Sequence, residues 1–225
     1  MDAACVRRWL GEVAARLEAE RDFLTQLDAA IGDADHGVNM HRGFTAVMSR
    51  IAGLEAATPG QLLKAAGRTF VSTVGGAAGP LYGTAFLQAG EVLGDHQRFG
   101  PRLLLDALRA SLDGVQRVGA ASVGDKTMVD ALSPALDAYE LELRVGGSLE
   151  TAVYGAREAA VAGMRATIPL QARKGRASYL GPRSVGHQDP GATSTALMFA
   201  ALEQAVLTDR SQRFAGGARR RVSGP

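Results

Sequence analysis

Cysteine is nearly absent from this 225-residue sequence, where Cys5 stands alone. That excludes an internal disulfide framework and any cysteine-rich zinc site. Aromatic residues reach only 5%, too few for a base-stacking nucleic-acid surface. No apolar run approaches the roughly 18–20 residues of a membrane span. The opening Met1-Asp2-Ala3-Ala4-Cys5 lacks the basic-then-apolar order of an export signal. The expectation is therefore a cytoplasmic chain without a membrane span. Alternating β-branched runs between hairpin turns are missing as well, which argues against sheet. Lysine occurs only at positions 64, 126 and 174.

Neither sign of charge is in large excess once the C-terminal end is set apart. The net charge is +2, and residues 210–225 hold Arg210, Arg213, Arg219, Arg220 and Arg221 with no acid, so without those five it falls to −3. The body has no basic excess that would call for a nucleic-acid partner. The Gly/Arg-rich end reads as a frayed extension, giving a body over 1–209 and a flexible tail over 210–225. With 46% hydrophobic residues and 21% charged, the body suits a single domain with a real core.

What is present is helical periodicity. Val6, Leu10, Val13, Leu17, Leu24, Leu27 and Ile31 recur at three-, four- or seven-residue steps, as do Leu104, Leu108, Leu112 and Val115. Punctuation by Gly, Pro and Asp predicts eight helices over 2–31, 38–53, 59–74, 80–94, 101–118, 126–144, 147–168 and 191–208. The fold class is all-α, an up-and-down assembly in which alternate connections lie at the same end. The connections after helices two, four and six look ordinary. Those after one, three, five and seven are chemically dense: 32–37, 75–79, 119–125 and 169–190. All four should meet at one rim.

The first connection places Asp28 before Gly32, with Asp33 and Asp35 two apart. Three close carboxylates repel unless a cation neutralises them, and oxygen-only ligation selects Mg²⁺ or Ca²⁺ over zinc. An EF-hand fails because the twelfth position from Asp33 is Phe44. A polar turn with Asp33 as a helix cap remains the plainer alternative. Gly75-Gly76-Ala77-Ala78-Gly79-Pro80 would let backbone N–H groups approach a phosphate at a helix start. Asp125 reads as a helix cap followed by a solvated Lys126. In the last connection Arg173, Lys174, Arg176 and Arg183 precede a helix start capped by Asp189 with Pro190 in its first turn. A basic loop converging on a carboxylate–Mg²⁺ cluster is the charge arrangement phosphoryl transfer needs.

Four motifs carry a resemblance: Ile31-Gly32-Asp33-Ala34-Asp35-His36-Gly37, Gly75 through Thr84, Gly124-Asp125-Lys126-Thr127-Met128, and Arg173 through Thr193 with its His187-Gln188-Asp189-Pro190-Gly191-Ala192-Thr193 run. In order and spacing they resemble the nucleotide-binding L subunits of dihydroxyacetone kinases. The resemblance implies a barrel of eight antiparallel helices capped at one end by ADP or ATP and two Mg²⁺ ions. It assigns Asp28, Asp33 and Asp35 to the metals, and these with Arg176 to catalysis. It assigns His36, Gly37, Val38, Asn39, Ala77, Ala78, Gly119, Met128, Arg176, Asp189, Pro190 and Gly191 to the nucleotide. Ala78 stands where relatives often carry Ser, and His41, Pro182 and the Arg-rich end also depart from the pattern. The partners implied are a K subunit that carries dihydroxyacetone and, in the phosphotransferase-dependent branch, an M subunit whose phosphohistidine recharges bound ADP. The chain has no room for a K domain, which favours that branch. The alternatives are an ATP-exchanging subunit for another small ketose or a carrier-bound fatty acid, or a regulatory module whose nucleotide state is read by a transcription factor.

Overall fold

A computed structural model describes residues 1–222, with side chains through Ser211. Its helices are α1 (Ala3–Ala19), α2 (Arg21–Ile31), α3 (His36–Ala52), α4 (Pro59–Thr73), α5 (Ala78–Leu93), α6 (Pro101–Gly119), α7 (Val129–Arg144), α8 (Leu149–Ala166) and α9 (Pro190–Val222), with a 3-10 segment over Arg176–Ser184. Among the described residues there is no strand, only an isolated bridge between Asp2 and Arg98. The all-α expectation holds. The expected frayed tail over 210–225 falls largely on residues whose side chains lie outside those described.

The helices close into a ring. Each of α3 to α8 packs on the next, α9 returns to α1, and α1 meets α3, while α2 continues α1 and leans on α3 and α9. Counting α1 and α2 together, this is an eight-membered barrel. The predicted single helix over 2–31 is divided at Glu20, whose backbone leaves helical geometry at φ −98° and ψ 8°. Leu17 and Leu24 are both fully buried on either side of that turn, so the apolar series runs through it unbroken.

The few aromatic residues are concentrated inside. Phe44 and Phe70 meet edge to face with centroids 5.1 Å apart, and Phe86 lies 5.9 and 6.0 Å from them. Such pairs add to the burial term that dominates the core. The α4–α5 pair is drawn close by small residues. A Cβ at Gly67 would stand 2.7 Å from the Gly83 carbonyl oxygen, nearer than packed carbon and oxygen tolerate. The connections at the plain end are also tied. Thr58 and Gln61 form a capping box, the Thr58 hydroxyl donates to the Gly94 carbonyl at 3.2 Å, and the Met1 ammonium donates to the Phe99 carbonyl at 2.7 Å.

Candidate functional site

The other end opens into a cleft of about 370 Å³, and all four dense connections contribute to it. Its lining includes Asp28, Asp35, Gly76, Lys126, Arg176 and Gly191. The rim deduced from loop parity is therefore real.

Asp28 sits in the last turn of α2, where Gly32 ends the helix and returns its N–H to the Asp28 carbonyl. One carboxylate oxygen, Oδ2, accepts from the N–H groups of Asp35 at 2.8 Å and His36 at 3.1 Å. Asp28 thus caps α3 from outside, since the Asp35 side chain at the N-cap position makes no capping bond and bonds to Asn39 instead. Asp33 does not cap it either. Ala34 is forced to a left-handed φ of 61° between the two loop aspartates. Asp28, Asp33 and Asp35 each offer an oxygen within 4.8 Å of the others. Opposed ligands in an Mg²⁺ octahedron stand about 4.2 Å apart at metal–oxygen distances near 2.1 Å. The oxygen-only donor set fits a hard divalent cation, and small side-chain movements within that 4.8 Å spread would bring the oxygens to such a separation. Burial raises the Asp35 pKa, and the neighbouring Asp33 charge adds to the shift. Arg176 offsets part of that charge, its Nε lying 3.1 Å from Asp33 Oδ2.

The glycine loop stands beside these acids. Gly76 is left-handed at φ 64°, and a Cβ there would point toward Asp35 Oδ2 at 3.9 Å. No side chain caps α5, so its first N–H groups are available to an anion. Across the cleft, Asp189 Oδ2 accepts from the Ala192 N–H at 2.7 Å and caps α9, as expected, with Pro190 first in that helix. Burial pushes the Asp189 carboxyl up to about 7, with Asp130 adding to the rise and the Ala192 N–H and Lys126 opposing it.

The third connection departs from expectation. α7 starts at Val129 rather than 126, and Asp125 is not its cap: it accepts from the Ser122 N–H at 2.9 Å, within its own loop. Asp130 does the organising instead, accepting from Gly124 at 2.6 Å and Thr127 at 2.7 Å. Lys126 is not solvated. It is 1% exposed, at a left-handed φ of 63°.

Asn39, Ala77, Ala78, Gly119, Met128 and Pro190 line the cleft with the residues above, and so does His36. The His36 ring is committed inward, with Nε2 2.9 Å from the Ser194 hydroxyl, which is itself 2.7 Å from the Tyr82 hydroxyl. Burial lowers the His36 pKa to about 4, so the ring is neutral at pH 7. Gly37 and Val38 do not line the cleft. A Cβ at Gly37 would collide with the Arg21 carbonyl, so this glycine serves the approach of α3 to α2, while Val38 is half exposed. Tyr82, Ser194 and Thr167 carry no sequence signal of a site role, and for Lys126 the scarcity of lysine is the one signal.

Against known proteins, the DAK2 domain profile matches residues 30–204. The ADP-binding subunit of PEP-dependent dihydroxyacetone kinase from Escherichia coli (strain K12) is 42% identical over 88% of this chain and 94% of its own length. The ADP-binding subunit of PEP-dependent dihydroxyacetone kinase 1 from Listeria innocua is 41% identical over 89% and 96%. Among solved structures, the C. freundii dihydroxyacetone kinase in complex with AMP-PNP and Mg²⁺ superposes with a TM-score of 0.69 at 26% identity, covering 91% of this chain. The chain spans about a third of that kinase's length, 34%.

Proposed function

The chain belongs to the DAK2 domain family, and from that premise we propose that it is the nucleotide-carrying subunit of a PEP-dependent dihydroxyacetone kinase. The observation that carries this reading is the meeting, in one cleft, of a three-carboxylate cluster, uncapped helix N–H groups and Arg176. Asp28, Asp33 and Asp35 would hold Mg²⁺, two ions in our reading, which supplies charge neutralisation for the phosphates. Asp28 acts with its free oxygen, because its other oxygen is held by α3. Asp33 would exchange its Arg176 partner for metal, leaving the guanidinium to place its planar fork on phosphate oxygens. The start of α5 supplies neutral N–H donors, and the Asp189-capped turn of α9 with Met128 forms the opposite wall.

Charge placement, not a protein nucleophile, then does the work, as phosphoryl transfer requires. A K subunit presenting dihydroxyacetone and an M subunit presenting phosphohistidine would dock in turn over the same rim. The nucleotide, enclosed by four connections, would stay in place between the two visits. A transfer assay tests this. With K and M subunits present, phosphoenolpyruvate and the upstream phosphotransferase proteins should drive many rounds on one bound ADP. Free ATP without M should support at most one round per chain. Sustained turnover with K and free ATP alone would place the chain in an ATP-exchanging branch.

A further inference from the structure

The connection from Thr167 to Asp189 carries Arg173, Lys174, Arg176 and Arg183, and little of it is anchored by apolar burial. Arg176 is 66% exposed on its side chain, and Tyr179 is 87% exposed. A loop this long, with a left-handed Gly181 inside its 3-10 segment, needs something to fix where Arg176 stands. Both ends of the loop converge on Lys126. Its ammonium donates to the carbonyl of Thr167 at 2.7 Å, just past α8, and to that of His187, just before α9. The same base is zipped by Gly186 N–H to the Ile168 carbonyl at 2.8 Å and by Asp189 N–H to the Thr167 hydroxyl at 3.0 Å. The loop's entry is tied by Arg173 N–H to the carbonyl of Asp125 at 3.0 Å, one residue before Lys126.

Burying an ammonium is costly unless its protons are satisfied, and an apolar residue would fill the space more cheaply. A left-handed backbone at a non-glycine residue adds to that cost. Lys126 meets both costs where the α6–α7 connection reaches the two ends of the basic loop. We propose that Lys126 is a positioning residue: it staples the base of the 167–189 loop and thereby sets the place of Arg176 over the cleft, without itself meeting the transferring phosphate. This deepens the functional reading above and rests on it for the role of Arg176, although the staple can be read without nucleotide.

The loop carries its own reporters, since Arg173, Lys174, Arg176 and Arg183 are trypsin sites. In Lys126→Met, brief trypsin treatment of the full chain should cut between 173 and 183 at least tenfold faster than in wild type, with helical circular dichroism retained. Lys126→Gln, which keeps an N–H donor, should fall between the two. In the transfer assay, Lys126→Met should slow turnover, and adding Arg176→Ala should then slow it by less than twofold further. Unchanged cleavage rates in both variants, multiplicative effects of Lys126→Met and Arg176→Ala, or loss of the helical signal in both variants would each overturn the proposal. Wild-type protein that transfers no phosphoryl group would instead overturn the functional reading, leaving the cleavage result to stand alone.

Discussion

Asp28 and Asp33 belong to one carboxylate cluster but should fail differently when removed. Asp33 is a third exposed, and its ion pair is with an arginine that is two-thirds exposed, at 33% and 66%. Such pairs contribute about 0–1 kcal/mol, and the pair sits beside two like charges whose repulsion its loss would relieve. Asp33→Ala should therefore leave thermal stability within about 1 kcal/mol of wild type. Asp28 is 8% exposed, and its Oδ2 satisfies two N–H groups at the start of α3. Truncating it removes a cap and leaves buried donors unpaired, a loss of about 2 kcal/mol. For a chain of this size that corresponds to a fall in Tm of about 4–8 °C. Both variants lose a metal ligand, so both should weaken Mg²⁺-dependent ADP binding by more than tenfold, or about 1.4 kcal/mol. Calorimetric titration with ADP in Mg²⁺ and in EDTA, beside thermal unfolding without ligand, reads the two effects separately. Undiminished Mg²⁺-dependent affinity in Asp33→Ala would refute the metal cluster, and an unshifted Tm in Asp28→Ala would refute its role as a cap.

Arg176→Ala should slow phosphoryl transfer by more than about tenfold with little change in Tm, and Arg176→Lys should not restore the rate fully because an ammonium lacks the planar fork. Asp189 is raised in the folded chain to about 7, so the native state holds a proton that the unfolded state has released; stability from this group is full at acid pH and is lost as pH rises toward 7. Urea unfolding between pH 5 and 8 should show that decline, and Asp189→Asn, which keeps an acceptor for the Ala192 N–H, should flatten it. Gly67→Ala forces a methyl against the Gly83 carbonyl and the Leu87 side chain, and should destabilise the chain by about 1–3 kcal/mol in the same assay.

Much of this was legible in the sequence because the rim is assembled from contiguous motifs. Loop parity brought the four connections together without coordinates, and the cap at Asp189 and stop at Gly32 follow from residue type alone. What escaped is what depends on distance along the chain or on local backbone. The turn at Glu20 is invisible because Leu17 and Leu24 keep the apolar step across it. The inward turn of Lys126 depends on acceptors 41 and 61 residues away. His36 was assigned to nucleotide, yet its ring meets Ser194, 158 residues on, and periodicity carries no trace of that bond. Asp130 escaped because a cap was expected ahead of its helix, whereas it stands inside the first turn of α7 and reaches back. No helix among the described residues is long and apolar enough to cross a membrane.

The central claim is that the cleft holds adenine nucleotide through divalent metal on Asp28, Asp33 and Asp35. Native mass spectrometry of the purified chain, as isolated and after incubation with ADP and Mg²⁺, tests it most directly. One ADP per chain accompanied by Mg²⁺ is expected in both samples, lost when EDTA is present and absent in Asp33→Ala. A chain that takes up no ADP with Mg²⁺ in excess, or holds it equally well in EDTA, would contradict the account.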